Sequence, residues 1–237
     1  MTQRRDSHMS FDPQQDLAAR IDHTILRPDA TRADVMQLCE EAVQYRFTVV
    51  FVPPCYAAQA IKALAGRPVR VGIPVGFPHG MQTTAAKVGE AVEAVGLGVT
   101  VLDMVMNVSL LKSGDQALVR DDIAAVVHAT PGAEHKVILE TGYLTREEKL
   151  LACRLVIDAG ADYVKTSTGF GPGGATVEDV QLLAQAAAGR AKVKASGGIR
   201  TLAATQALLT AGADRIGTSA GVAIMKEWRT ALASSRP

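Results

Sequence analysis

The sequence has little net charge of either sign and no long apolar segment. Its 25 Lys and Arg residues nearly balance its 24 Asp and Glu residues, which leaves a formal net charge of +1. This balance gives no support for a nucleic-acid partner or an anionic membrane surface. No apolar run approaches the roughly 20 residues that cross a bilayer. The polar N-terminus has Arg4-Arg5 but no apolar stretch behind it, so we expect no export signal and no membrane partner.

Cysteine is also scarce. Cys39, Cys55 and Cys153 are odd in number and have no metal-like spacing. We therefore expect reduced thiols and a cytoplasmic location. His23 and His79 fall at ends of predicted strands, but two histidines on distant strands are a thin basis for a metal site, and no metal is expected.

In the rest of the chain, short apolar runs typical of strands alternate with patterns typical of helices. Its 237 residues are close to the roughly 250 that are typical of one (β/α)₈ barrel. Residues 1–14 are predicted to be a flexible tail, and residues 15–237 a single domain. The predicted strands are 21–25, 47–52, 69–75, 99–106, 136–140, 162–165, 191–195 and 215–218, and a helical pattern follows each one.

Eight alternating strand–helix units indicate an α/β protein with a parallel sheet. With no linker or composition break between the units, they favour a closed (β/α)₈ TIM barrel. The alternative is an open doubly wound sheet. It is disfavoured because no Gly-x-Gly-x-x-Gly follows the first predicted strand.

Two lysines occupy predicted strands six and seven. Lys165 ends Tyr-Val-Lys, and Lys194 lies in Val-Lys-Ala. Lysine is rarely buried unless it is paired or functional, and active sites of this fold lie at the C-terminal ends of the strands. A like charge on a neighbouring strand and a dry site both lower the pKa of a lysine, and a neutral amine can attack a carbonyl. The pattern fits a Schiff-base lysine as well as it fits a purely electrostatic phosphate clamp.

Glycine-rich loops follow the same strands. Gly169 follows the first lysine, Gly197 and Gly198 the second, and Gly217 and Ser219 lie at the end of strand eight. Loops after strands seven and eight are a common phosphate site in this fold, and glycine lets backbone N–H groups approach an anion. Phosphate binding is favoured over the alternative, in which these glycines only form tight turns.

Carboxylates are the remaining candidates. Asp103 has apolar neighbours on both sides, so it needs a buried partner, for which lysine is the natural choice. A proton-relay role and a structural ion pair fit it equally well. Asp22 and Thr24, at the end of strand one, are weaker candidates for the relay or for a substrate hydroxyl.

With these residues placed, the sequence resembles the deoxyribose-phosphate aldolase family. The matching segments are 21–31 (IDHTILRPDAT), 76–80 (GFPHG), 102–107 (LDMVMN), 112–115 (KSGD), 164–171 (VKTSTGFG), 193–201 (VKASGGIRT) and 215–219 (RIGTS). They span nearly the whole chain after the predicted tail. The two lysine motifs are long and specific.

The resemblance implies a class I aldolase without a metal or other cofactor. It would cleave 2-deoxy-D-ribose 5-phosphate to D-glyceraldehyde 3-phosphate and acetaldehyde in deoxynucleoside breakdown. Lys165 would be the Schiff-base nucleophile, Lys194 the neighbour that lowers its pKa, and Asp103 the proton donor and acceptor. Phosphate would bind at Gly169, Gly197, Gly198, Gly217 and Ser219. Family members are commonly dimers or tetramers.

Some positions depart from the family pattern. Strand two ends in Phe51-Val52-Pro53-Pro54, where the family often has Cys-Val-Asn-Pro, and the C-terminus carries no tyrosine. Two alternatives therefore stay open. One is a related Schiff-base sugar-phosphate lyase with altered aldehyde scope, and the other is a sugar-phosphate-binding barrel without turnover.

Overall fold

The computed structural model describes residues 17–234, which form a closed barrel of eight parallel strands. The strands follow one another around the barrel in sequence order, and the last pairs with the first. In order, β1 to β8 are Ile21–Thr24, Val49–Phe51, Arg70–Val75, Val101–Val105, Glu134–Ile138, Tyr163–Lys165, Lys192–Ser196 and Arg215–Thr218. The expected (β/α)₈ TIM barrel is confirmed. The predicted tail, residues 1–14, lies outside the described residues.

Helices connect successive strands and cover the outside of the barrel. In order, α1 to α9 are Arg32–Tyr45, Ala57–Ala63, Thr84–Gly96, Val108–Lys112, Gln116–Ala129, Arg146–Asp158, Val177–Ala187, Leu202–Thr210 and Gly221–Ser234. Short 3₁₀ turns span Pro54–Tyr56 and Thr141–Tyr143. Threonine side chains start several helices: Thr31 and Thr145 form capping boxes with Asp34 and Glu148. None of the helices within residues 17–234 is long and apolar enough to cross a membrane.

Several element boundaries differ from the sequence prediction, most of them by one or two residues. Between β4 and β5 the chain forms two helices, α4 and α5, because Gly114 between them adopts a left-handed backbone (φ 85°) that ends a helix. Strand β5 begins at Glu134 and ends at Ile138, two residues earlier than expected. Glu134 pairs in register with Val101, whereas Glu140 turns away from the sheet with φ of 54°.

The apolar core lies mainly between the strands and the helices, where it forms one continuous buried cluster. The inside of the barrel is different. A separate small cluster there consists of Val49, Phe51 and Val101. The remaining volume holds buried charged side chains rather than the bulky branched residues that usually fill this fold: Asp22, Asp103, Lys136, Lys165 and Lys194. Burying so many charges is unfavourable unless they are paired, so their pairing decides whether the barrel is stable.

A buried ion pair outside the barrel ties α3 to α5. Lys87 is fully buried, and its Nζ lies 2.6 Å from Asp122 Oδ2. The same Nζ donates to the Val105 carbonyl at the end of β4 (3.1 Å), and the Thr84 hydroxyl donates to Asp122. Burial lowers the pKa of Lys87, and Asp122 opposes that shift. The pair therefore fixes two helices to the end of the strand that carries Asp103.

Replacing Asp122 by alanine should strongly destabilise the fold. The substitution leaves the Lys87 ammonium buried without its counter-ion, which costs about 3–5 kcal/mol. Asp121→Ala is the matched control, because the neighbouring Asp121 pairs with Arg120 at the surface and contributes little. Urea unfolding of both variants measures the difference. Equal losses of stability would contradict the role assigned to the buried pair.

Candidate active site

Lys165 and Lys194 meet at one carboxylate inside the barrel. The two lysines are directly paired in the register of β6 and β7. Both donate to the same oxygen, Asp103 Oδ2, at 2.7 Å from Lys165 Nζ and 2.6 Å from Lys194 Nζ. All three side chains are buried. The two lysines therefore lie at the same height in neighbouring strands. Asp103 has the lysine partner that was expected for it.

The environment of Lys165 favours its neutral amine. Burial is the largest cause, and it lowers the pKa of Lys165 to about 8, with Lys194 acting in the same direction and Asp103 opposing it. The expected effect of Lys194 is thus present, but desolvation exceeds it. Burial alone would raise the pKa of Asp103, but the three neighbouring lysines outweigh it and the net pKa is below the ordinary value. The site therefore combines an ionised carboxylate with an amine that loses its proton readily.

A second layer of charges lies against this group. Asp22 Oδ2 is 2.6 Å from Lys194 Nζ, and Asp22 Oδ1 accepts from Arg215. Lys136 Nζ lies 3.6 Å from Asp103 Oδ1 and 2.6 Å from Glu134 Oε1. Burial and the Lys194 charge lower the pKa of Lys136 against the raising effect of the carboxylates. The ion pairs thus continue past Asp103 on both sides, toward Arg215 and toward Glu134.

Above the lysines a cavity of about 550 Å³ opens at the C-terminal ends of the strands. Lys165 is part of its lining, and most of the expected binding residues line it as well: Thr24, Gly169, Gly197, Gly198, Gly217 and Ser219. Arg200 is also at its wall. Asp22 is the exception, since its carboxylate is fully buried among Lys194 and Arg215 and is not part of the lining. Its position favours an effect through Lys194 over direct contact with a substrate.

The glycine loops are packed too closely for any side chain at two positions. A Cβ on Gly174 would collide with the carbonyl of Gly197, and a Cβ on Gly197 would lie 3.1 Å from the Gly174 Cα. Gly197 and Gly198 also have left-handed backbones, with φ of 91° and 76°. Glu140 braces the first loop by accepting hydrogen bonds from the N–H and hydroxyl groups of Thr168. Gly169, Gly197 and Gly198 therefore line the cavity without side chains.

Gly217 has a different function. A Cβ at this position would lie 2.9 Å from Lys194 Cε and 3.0 Å from Ser196 Cβ. The missing side chain leaves the space through which the Lys194 chain reaches Asp22 and Asp103. This glycine therefore supports the lysine pair as well as lining the cavity.

Sequence reasoning missed Lys136, Glu134 and Arg215. The predicted strand began at Lys136, so this residue stood at the opposite end of the strand from the expected site. Because β5 begins two residues earlier, Lys136 lies inside the strand, beside Asp103 in the register. A lysine within a strand was the signal that identified Lys165 and Lys194, and it applies to Lys136 once the strand is placed correctly. Arg215 was placed at the start of β8 and within the matching segment 215–219, but no role was assigned to its side chain.

His23 and His79, the histidines at ends of predicted strands, lie in separate surroundings. His23 is buried and bonds Glu41 through Nε2 at 2.7 Å, while His79 lines a smaller, separate cavity beside Phe170. Across residues 17–234 no three His, Cys, Asp or Glu side chains are grouped so that they could hold a metal ion.

Comparisons with known proteins agree with this geometry. A model of the family described as DeoC/LacD family aldolase matches residues 17–227. A deoxyribose-phosphate aldolase from Thermoanaerobacter sp. (strain X514) is 53% identical over 215 residues, which cover 90% of this chain and 96% of the relative. One from Brevibacillus brevis is 49% identical over 210 residues, or 89% and 95% of the two chains.

Solved structures are similar as well. A deoxyribose phosphate aldolase from Aeropyrum pernix, described as having a unique tetrameric structure, superposes with a TM-score of 0.87 at 35% identity, covering 92% of this chain and 93% of that one. An aldolase called QR15 gives a TM-score of 0.89 at 40% identity, with 93% and 99% covered. The family resemblance of the sequence is confirmed.

Replacing Asp103 by asparagine should destabilise the protein most at neutral pH. The variant keeps the lysines crowded and buried without their shared counter-ion, at a cost of about 3–5 kcal/mol. The folded-state pKa of Lys165, which burial already lowers to about 8, then falls further below that of the unfolded chain, which binds more protons. Stability of the variant should therefore rise between about pH 8 and pH 10. Urea unfolding at pH 7 and pH 10 tests this, with Asp29→Asn at a surface ion pair as the control. A deficit that is the same at both pH values would contradict the expectation.

Proposed function

The chain belongs to the DeoC/LacD family of aldolases, and on this premise we propose that it is a class I aldolase acting on 2-deoxy-D-ribose 5-phosphate. The products are D-glyceraldehyde 3-phosphate and acetaldehyde. One observation carries the mechanism: a buried lysine amine with a pKa of about 8 lies at a cavity edged by glycine loops. At pH 7 about a tenth of such a group is neutral, compared with roughly one in 2,500 for an ordinary lysine.

Lys165 is the nucleophile of this proposal. Its neutral Nζ attacks C1 of the open-chain sugar, and loss of water from the carbinolamine gives a protonated Schiff base. As a base removes the proton from the C3 hydroxyl, the C3 carbonyl forms and the C2–C3 bond breaks in the same step. D-Glyceraldehyde 3-phosphate leaves, and the electron pair of the broken bond flows into the Schiff base to give an enamine. Protonation at C2 and hydrolysis release acetaldehyde and regenerate the amine.

Asp103 and Lys194 handle the protons. Asp103 is ionised and bonds both amines, so it can accept a proton and return it, directly or through water. Lys194 keeps positive charge beside Lys165, which favours loss of the Lys165 proton before attack. Asp22 holds Lys194 in place from the opposite side at 2.6 Å. Its proposed contribution is therefore to position Lys194.

We place the phosphate group of the substrate at the loops after β6, β7 and β8. Gly169, Gly197, Gly198, Gly217 and Ser219 line one side of the cavity, and Arg200 adds a positive charge there. Left-handed glycines expose backbone N–H groups to an anion without side-chain interference. Thr24, at the end of the neighbouring strand β1, lines the same cavity and is available for a sugar hydroxyl.

The cellular setting remains part of the proposal. We place the enzyme in the cytoplasm, in deoxynucleoside breakdown, as a homo-oligomer of two or four chains. A relative with a tetrameric structure supports assembly of some kind. Phe51 and Pro53 do not line the cavity that contains Lys165, so the geometry gives no particular support to an altered aldehyde scope.

Trapping of the intermediate tests the proposal directly. Incubation with acetaldehyde and borohydride should leave an ethyl group on Lys165 alone, because borohydride reduces the Schiff base to a stable amine. Peptide mass mapping locates the adduct, and Lys165→Arg should abolish it together with cleavage of 2-deoxyribose 5-phosphate. A sugar-phosphate-binding barrel without turnover predicts no adduct, and that outcome would refute the aldolase assignment.

A negative charge at Ser219 should weaken binding of the phosphate specifically. Ser219→Asp places a carboxylate at the proposed anion site, so KM for 2-deoxyribose 5-phosphate should rise by about tenfold or more. The kinetics with unphosphorylated 2-deoxyribose should change little, since that substrate has no charge to repel. Equal effects on both substrates would place the phosphate elsewhere.

A further inference from the structure

The aromatic ring of Phe51 lies among three lysine ammonium groups inside the barrel. Its centroid is 3.8 Å from Lys194 Nζ, 5.3 Å from Lys136 Nζ and 5.7 Å from Lys165 Nζ. The side chain is 1% exposed and lies at the end of β2. The face of an aromatic ring attracts cations within about 6 Å of its centroid, and more strongly when water is excluded. The ring is thus an uncharged partner for buried positive charge.

The neighbouring strand is built around this ring. Phe51 pairs in register with Gly72 on β3. A Cβ on Gly72 would lie 2.7 Å from Phe51 Cζ and 2.8 Å from Cε1. Gly72 has an ordinary backbone conformation, since it is absent from the glycines with positive φ. Gly72 therefore leaves space for the Phe51 ring and does not serve an unusual backbone turn.

The charged side chains near the Phe51 ring come from some strands of the barrel and not from others. Four charged side chains from other strands surround the pair of Lys165 and Lys194: Asp22 of β1, Asp103 of β4, Lys136 of β5 and Arg215 of β8. Strands β2 and β3 contribute Phe51 and Gly72 at this level. A carboxylate in place of the ring would stabilise a proton on Lys165 as well as on Lys194. The ring is much nearer to Lys194, so it distinguishes between the two amines.

We propose that Phe51 is a positioning residue of the Schiff-base reaction, which binds the Lys194 ammonium group and excludes water beneath Lys165. Lys194 then carries the positive charge of the pair, and Lys165 releases its proton. The inference rests on the proposed function, in which the neutral amine of Lys165 attacks the substrate. It explains why an aromatic residue lies at the end of β2 and why glycine lies beside it at position 72.

The test is the pH dependence of adduct formation. Rates of acetaldehyde–borohydride labelling at Lys165 are measured from pH 6 to pH 10 in the wild type and in Phe51→Leu. Without the ring, the Lys194 ammonium group loses the partner that fixes it beside Lys165, and water enters beneath Lys165. Lys165 is then less desolvated and retains its proton to higher pH. The midpoint should rise, lowering the rate at pH 7 by about threefold to tenfold, while the high-pH plateau stays close to wild type.

A second variant separates the ring's electrostatics from its shape. Pentafluorophenylalanine at position 51 keeps an aromatic ring but reverses the charge distribution on its face, so it should raise the midpoint as Phe51→Leu does. This variant also serves if Phe51→Leu does not fold. Phe47→Leu is the matched control, because Phe47 is equally buried but its ring packs against His23 and Tyr45. Its midpoint should equal that of the wild type.

Three results would overturn the inference. They are an unmoved midpoint with a lowered plateau in both Phe51 variants, a shift in Phe51→Leu alone, and a comparable shift in Phe47→Leu. These results differ from failure of the proposed function, in which the wild-type protein itself forms no adduct on Lys165. Gly72→Ala adds an independent check. It should lower the thermal midpoint of the wild type but cost much less in Phe51→Leu, where the ring no longer occupies that space.

Discussion

The carboxylate of Asp103, shared by Lys165 and Lys194, is the interaction on which the rest of the structure depends. Three charged groups meet at one oxygen in a site that water barely reaches. Removing the carboxylate would leave two buried cations facing each other, and removing either lysine would leave the other more strongly paired. Reactivity of one amine and stability of the barrel therefore come from the same contact.

Such a contact needs a closed parallel barrel around it. Direct pairing of Lys165 with Lys194 across β6 and β7 places both amines at one height, and Asp103 reaches them from β4 on the other side. Small residues make room for the long side chains: Gly217 for Lys194 and Gly72 for Phe51. The barrel interior thus replaces the usual apolar filling with ion pairs and one aromatic ring. Its apolar stabilisation comes mainly from the layer between strands and helices.

Much of this arrangement could be predicted from the sequence. Strand and helix periodicity identified all eight βα units. Lys165 and Lys194 were identified by their positions inside strands, because a buried lysine is unfavourable unless it is paired or functional. Local pattern could not give strand register, however. A two-residue error at the start of β5 hid Lys136, since burial of a strand's first residue depends on its neighbours in the sheet.

The sequence also could not predict which of the buried charged side chains pair with one another. Asp22 was expected near the substrate because it ends the first strand, but long-range contacts with Lys194 and Arg215 hold it inside. Those contacts join residues more than 170 positions apart in the chain. A like charge and a dry site were both expected to lower the pKa of Lys165, and burial is the larger of the two causes. Which cause dominates depends on how completely the closed barrel buries the strand end, and that cannot be read from a short segment.

The most direct test is a titration of Lys165 itself. NMR of protein labelled with ¹³C-lysine, with Lys165→Arg used to assign the signal, follows the ε-carbon through deprotonation. The account predicts a midpoint near pH 8 for Lys165, and a higher midpoint in Lys194→Met, where Asp103 pairs with Lys165 alone. A wild-type midpoint above pH 10, in the range of ordinary lysines, would contradict it.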